Sequence, residues 1–260
     1  MEGGPASEQI TYPGKSGAVQ AYVARPATGE PWPAIIVVRA LLSSVDYINQ
    51  KADRLAREGY LAIAPNHYAN DPVVQRISTE DILAGIGIAH APDINAALEG
   101  APPAKRETMR RVVEWWDTRD TTYLADLFAA IDYVKRRPDV QPTCVAVAGF
   151  GGAGLLTGKL VTAGADLAAA VVYSGRPPGP EEAANVRCPV LGHYGSEDRG
   201  NASRVPALEE AMEAAGKTFI AHIYEGAHHL FFDETHKDYE PDAAALAWER
   251  TLEFLRRSMR

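Results

Sequence analysis

Apolar and polar positions change period several times along the chain, and each change marks an element. Residues 9–26 alternate, which predicts two strands over 9–12 and 18–24 joined by the turn Gly14-Lys-Ser-Gly17. Residues 34–38 (Ala-Ile-Ile-Val-Val) form an unbroken run rich in β-branched residues, the pattern of a parallel strand covered on both faces. A helical period over 46–58 stops at Gly59, and 60–64 reads as the next strand, ending at Pro65. Strand, helix, strand at this spacing is a βαβ unit and implies a parallel sheet.

The rhythm breaks at about residues 66–118. Short helical patterns at 79–86 and 105–116 are separated by Pro92 and by Ala101-Pro-Pro103. Long insertions between sheet elements often act as lids, so this helical insertion is expected to cover one end of the sheet. The rhythm then resumes: helix 121–136, strand 143–148, helix 153–163, strand 168–173, a Pro-rich loop through Pro180, strand 190–194, helix 205–215, strand 219–224 and helix 243–257. The pattern predicts a single-domain three-layer α/β/α sandwich over 1–260 with a mostly parallel sheet.

Bulk composition narrows the function. A chain of 260 residues, 46% of them hydrophobic, suffices for one large core. The net charge of −8, with no basic run, argues against nucleic acid and anionic membranes as partners. No apolar run approaches the ~18 residues of a membrane span. The start, Met1-Glu-Gly-Gly-Pro5, lacks the basic and apolar regions of a secretory signal, so a cytoplasmic location is expected. Cys144 and Cys188 read as two separate buried thiols rather than a disulfide.

Candidate chemistry gathers where the predicted strands end, because ligands of open parallel sheets bind beyond the carboxyl ends. Strand 143–148 runs into Gly149-Phe-Gly-Gly-Ala-Gly154 and a helix. Two kinds of site use such a turn: a nucleophile elbow, and the dinucleotide fingerprint GxGxxG, matched by Gly149, Gly151 and Gly154. The fingerprint also wants an acid at the end of the next strand, which here reads Val171-Val-Tyr-Ser174, while Asp166 precedes it. No cofactor is therefore expected. Asp198 and then His229 follow the last two strands, the order of a catalytic acid and base after an elbow. Asp198 would fix the His229 tautomer and stabilise its protonated form. Further pocket candidates are Gly151, Gly152, Arg39, Ala40, Leu41, Ser43, Ser44, His67, Ser174 and His193. Convergence of His67, His193 and His229 beside Asp198 would suit zinc, but nothing in their spacing enforces it.

The chain resembles the dienelactone hydrolase family, of the α/β-hydrolase fold, over nearly its full length. The resemblance rests on Pro33-Ala-Ile-Ile-Val-Val38, Ala52-Asp-Arg-Leu-Ala-Arg-Glu-Gly-Tyr60, the elbow, Gly195-Ser-Glu-Asp198 and Tyr224-Glu-Gly-Ala-His-His-Leu-Phe231. It implies a triad acid at Asp198 and a base at His229. It also exposes departures. The family elbow carries Cys or Ser where this chain has Gly151, and the family's His-Glu after the first parallel strand is Arg39-Ala40 here. Pro65-Asn-His-Tyr68, Ser174 and His193 also depart from the family's habit. Changes gathered around one pocket imply a repurposed scaffold, engineered or diverged.

Three functions remain open on these residues. His229 could activate water for hydrolysis of a small ester or lactone, with oxyanion donors from the amides near Leu41 and Gly152. It could instead abstract a substrate proton in an elimination or isomerisation. The protein could also bind a small ligand without turnover. Ser43, Ser44 or Ser174 would be the substitute nucleophile if one exists, and His67 or His193 a second acid or base. The expected partner is a small molecule, to a monomer or homodimer.

Overall fold

The computed structural model describes residues 5–175 and 178–259. Residues 1–4, where the start was read for a signal, and 176–177 in the Pro-rich loop lie outside the described residues. Eight strands form one sheet in the order β1-β2-β4-β3-β5-β6-β7-β8. They are β1 (Ala6–Gly14), β2 (Gly17–Arg25), β3 (Trp32–Val38), β4 (Leu61–Pro65), β5 (Val140–Phe150), β6 (Ala169–Tyr173), β7 (Val190–Gly195) and β8 (Phe219–Tyr224). β1 and β2 form the expected hairpin, longer at both ends than the alternation suggested, and β2 pairs antiparallel with β4. Every pair from β4 through β3 to β8 is parallel.

The apolar run of β3 shows why the sheet is covered twice. Ala34, Ile36 and Val38 enter one core, and Ile35 and Val37 the other, because successive side chains point to opposite faces. The first core is closed by α5 (Arg106–Lys135), α6 (Ala153–Thr162) and α8 (Val205–Ala214), through residues such as Leu127, Leu160 and Leu208. The second is closed by α1 (Val45–Arg57) and α9 (Pro241–Ser258), through Leu55 and Leu252. Gly59, at φ +94°, takes the left-handed conformation that ends α1 and turns the chain into β4.

The insertion differs from its sequence pattern in one respect. It contains α2 (Pro72–Arg76), α3 (Thr79–Ala89) and α4 (Ile94–Gly100), but the segments read as helices 105–116 and 121–136 are one helix, α5, of 30 residues. The intervening Asp117-Thr-Arg-Asp120 is polar, which mimics a break, yet it holds neither Gly nor Pro. The amino-terminal half of α5 therefore belongs to the insertion and its carboxyl-terminal half to the layer over the sheet. α3 lies close on this helix: a β-carbon at Gly85 would collide with Val112. Asp71 joins the insertion to α5, capping α2 with one carboxylate oxygen and accepting Trp115 Nε1 (2.7 Å) and the Tyr123 hydroxyl (2.5 Å) with the other.

Candidate active site

The parallel register brings the ends of five strands together. Val38 pairs with Gly149, Phe150 with Tyr173, Tyr173 with His193, and Gly195 with Tyr224. Whatever follows β3, β5, β7 and β8 thus meets above the same edge of the sheet.

After β5 the chain makes the tight turn that the glycines allow. A β-carbon at Gly149 would strike Thr157 Oγ1, and one at Gly154 would strike the Gly175 backbone, so strand, turn and α6 approach more closely than any side chain permits. Gly151 sits at the apex with φ +61°, its amide donating to the Tyr173 carbonyl at 2.8 Å. A β-carbon built there lies 3.9 Å from His229 Nε2, 3.8 Å from Phe232 and 3.2 Å from Leu230 Cδ2. Gly151 thus stands at the apex of a tight strand-to-helix turn, bearing no side chain, with Leu230 crowding the space above it.

Asp198 follows β7 and His229 lies in the loop after β8. Their side chains meet at 2.7 Å between Asp198 Oδ2 and His229 Nδ1. Asp198 is 12% exposed and the His229 imidazole 41%, so the carboxylate is sheltered while the imidazole opens to the cleft. The bond places the neutral imidazole's proton on Nδ1 and leaves Nε2, the atom facing Gly151, as the acceptor. Burial pushes the Asp198 carboxyl up, but hydrogen bonds from His229 and from Asn201 (2.9 Å) outweigh it and hold it below the usual carboxylate range.

The cleft is a cavity of about 670 Å³. Of the residues expected there, Ala40, Leu41, Ser43, Ser44, Gly151, Gly152 and His229 line it. Ser44 caps α1, its hydroxyl accepting the Tyr47 amide at 3.1 Å. Ala40 faces Gly152, whose built β-carbon lies 3.7 Å from Ala40 Cβ.

Arg39, His67, Ser174 and His193 do not line it, each for a visible reason. Arg39 folds back onto its own loop, donating to the Ser43 carbonyl (2.8 Å) and Asn66 Oδ1 (3.1 Å) over the Tyr68 ring. His67 is buried between Tyr68 and Tyr123, with neither ring nitrogen in a well-formed hydrogen bond. Burial first, then the Arg39 charge, push its pKa down to about 3, against a weak opposing pull from the Pro65 backbone. Ser174 is buried behind the elbow with φ +51°. His193 points into the second core, bonding the Tyr224 hydroxyl and Thr251 Oγ1, each at 2.9 Å, and burial holds it well below the usual histidine range. The three histidines do not converge, and among the described residues no cluster of three or more His, Cys, Asp or Glu is placed to hold a metal. Cys144 and Cys188 are buried free thiols, burial pushing Cys188 up to about 11.

The rest of the wall was not singled out from the sequence. Leu83, Ile86, Trp116, Arg119 and Tyr123 come from the insertion and α5, and Leu230, Phe232 and His236 from the loop after His229. Arg119 stacks on Trp116, its guanidinium 3.2 Å from the ring centroid, and pairs with Asp120 at 3.5 Å. The signal that could have found them is the cluster of aromatics around 115–123, which a solvated excursion has no reason to carry. Among the described residues, no helix is long and apolar enough to cross a membrane.

A mostly parallel sheet, a tight glycine turn between β5 and α6, and an Asp–His pair after β7 and β8 are the arrangement of an α/β-hydrolase fold. The chain belongs to the dienelactone hydrolase family, whose sequence profile matches residues 19–259. It is 29% identical over 258 residues to a Saccharolobus solfataricus protein named for carboxymethylenebutenolidase activity, covering 96% of this chain and 98% of that one. A Methylorubrum extorquens protein of the same naming is 26% identical over 259 residues, covering 95% and 80%. In structure it is similar to a Klebsiella pneumoniae protein named for dienelactone hydrolase, with a TM-score of 0.76 at 24% identity over 98% of this chain and all of that one.

Proposed function

We propose that this protein hydrolyses small esters or lactones by direct general-base catalysis, His229 activating a water where the family's nucleophile would act. The observation that supports it most is the Asp198–His229 pair, with Nε2 facing the apex of an intact elbow at Gly151 and opening on a largely apolar cavity. In the proposed reaction Nε2 takes a proton from water as the oxygen adds to the acyl carbon. Asp198 stabilises the resulting imidazolium, and the amides of Leu41 and Gly152 receive the oxyanion. Collapse of the tetrahedral intermediate breaks the bond to the leaving oxygen, which takes the proton back from His229. General-base assistance of this kind contributes about 10²–10⁴-fold.

The leucine, phenylalanine, tyrosine and tryptophan lining favours a substrate with an apolar ring or chain beside its ester. A second reading, ligand binding without turnover, draws on Leu230 occupying part of the space above Gly151. Proton abstraction from a bound substrate would use the same base, but on a substrate C–H bond rather than on water. A screen of activated aryl esters and lactones for turnover and for saturable binding, run on the wild type and His229→Ala, separates hydrolysis from binding without turnover. Turnover lost in the variant supports hydrolysis. Saturable binding with no turnover supports the binder, and a rate that survives in the variant removes His229 from the chemistry.

A further inference from the structure

Ser174 is the one non-glycine residue with positive φ among those described, at +51°, and it is fully buried with an unpartnered hydroxyl. Such a conformation persists only where the surroundings over-determine it. Its hydroxyl bonds nothing, so the backbone is what the position serves. The Ser174 amide donates to the His193 carbonyl at 2.7 Å, extending the β6–β7 pairing by one step. The Ser174 carbonyl then accepts Asn201 Nδ2 at 3.3 Å. The same Asn201 nitrogen donates to Asp198 Oδ2 at 2.9 Å, the oxygen that also accepts His229 Nδ1.

We infer that Asn201, tethered to the Ser174 carbonyl, is the positioning residue that fixes the rotation of the Asp198 carboxylate and through it the aim of His229. This rests on the reading of His229 as the base. The carboxylate stands at the start of the four-residue helix α7 (Arg199–Ala202), which makes no side-chain cap bond with it. Without the Asn201 side-chain amide, His229 would be the one side-chain donor left on Oδ2, and the carboxylate would turn more freely about its side-chain torsions. With Asn201, one oxygen is fixed by two donors arriving from different elements. The amide is required rather than its shape, because an acid of the same outline would set a second negative charge beside Asp198 and offer no donor.

The test uses the full chain with Asn201→Ala and its isosteric counterpart Asn201→Asp. On an activated aryl ester, Asn201→Ala is expected to lower kcat about tenfold or more with KM little changed, the size of a lost hydrogen bond to a charged group. Asn201→Asp should fall further although it fills the same space. Without substrate, the downfield proton resonance of the His229–Asp198 bond, assigned by its loss in His229→Ala, should shift or broaden in both variants. Wild-type kcat and an unmoved resonance in Asn201→Asp would overturn the inference. The resonance needs no turnover, so it judges Asn201 even where His229→Ala leaves catalysis intact and the water-activation reading itself fails.

Discussion

A side chain rooted at Gly151 would start 3.9 Å from His229 Nε2 and 3.2 Å from Leu230 Cδ2. His229 Nε2 therefore faces a position that bears no side chain, and a neighbouring leucine leans into it.

The first prediction restores that group. Gly151→Ser is expected to form a covalent acyl-enzyme with an activated aryl ester, read by intact mass after rapid quench. Adding Leu230→Ala should raise the adduct, since the 3.2 Å contact is tighter than a β-carbon tolerates without its neighbour giving way. The single variant should also melt lower, because a non-glycine residue in the left-handed region costs ~1–2 kcal/mol. No adduct in either variant would mean that the turn does not hold an elbow's reactive geometry.

A second prediction concerns what holds the insertion over the cleft. Asp71 caps α2 and accepts both Trp115 Nε1 and the Tyr123 hydroxyl. Asp71→Ala leaves those two donors without their acceptor and should cost about 2–3 kcal/mol in urea unfolding. Amides of α3 should exchange faster while those of β5 keep their protection. Uniform protection across both would show that the insertion is held by packing alone.

The third follows from His67, whose pKa falls from the ordinary 6.5 to about 3 on folding. Between those values the unfolded chain binds a proton that the folded chain refuses, so this residue withdraws stability as pH drops below 6.5. At pH 5 the loss is about 2 kcal/mol, from 1.36 kcal/mol per unit of pKa difference. His67→Phe should be at least as stable as the wild type at pH 7 and should lose less on going to pH 5. Equal pH dependence in the two proteins would show that His67 finds a protonatable setting.

Much of this was legible in the sequence, because the cues were local. The apolar run 34–38, the glycines of 149–154, and the order Asp198 then His229 each follow from spacing, and the fold places them as a parallel sheet requires. What was not legible depends on side-chain direction. His193 and Tyr194 are neighbours on one strand, and alternation sends the histidine into the core below α9, away from the cleft. Arg39 reads as a pocket cation until its loop curls back and its guanidinium meets the Ser43 carbonyl. The segments 105–116 and 121–136, read as separate helices, are one, because the polar stretch between them holds neither Gly nor Pro.

The fourth prediction tests the pair itself. Asp198→Asn keeps the outline of the acid but cannot balance a protonated His229, so kcat should fall by about 10²–10⁴-fold, the full share of a general base. A loss under about twofold, within the scatter of a surface change, would put the base's orientation elsewhere.

Direct water attack driven by His229 is tested by the intact mass of the wild type quenched during turnover of an activated aryl ester, run beside His229→Ala. Turnover should require His229, show no pre-steady-state burst and leave the protein mass unchanged throughout. An acyl adduct on any residue, with Ser43 the first to inspect, or a rate that persists in His229→Ala, would contradict it.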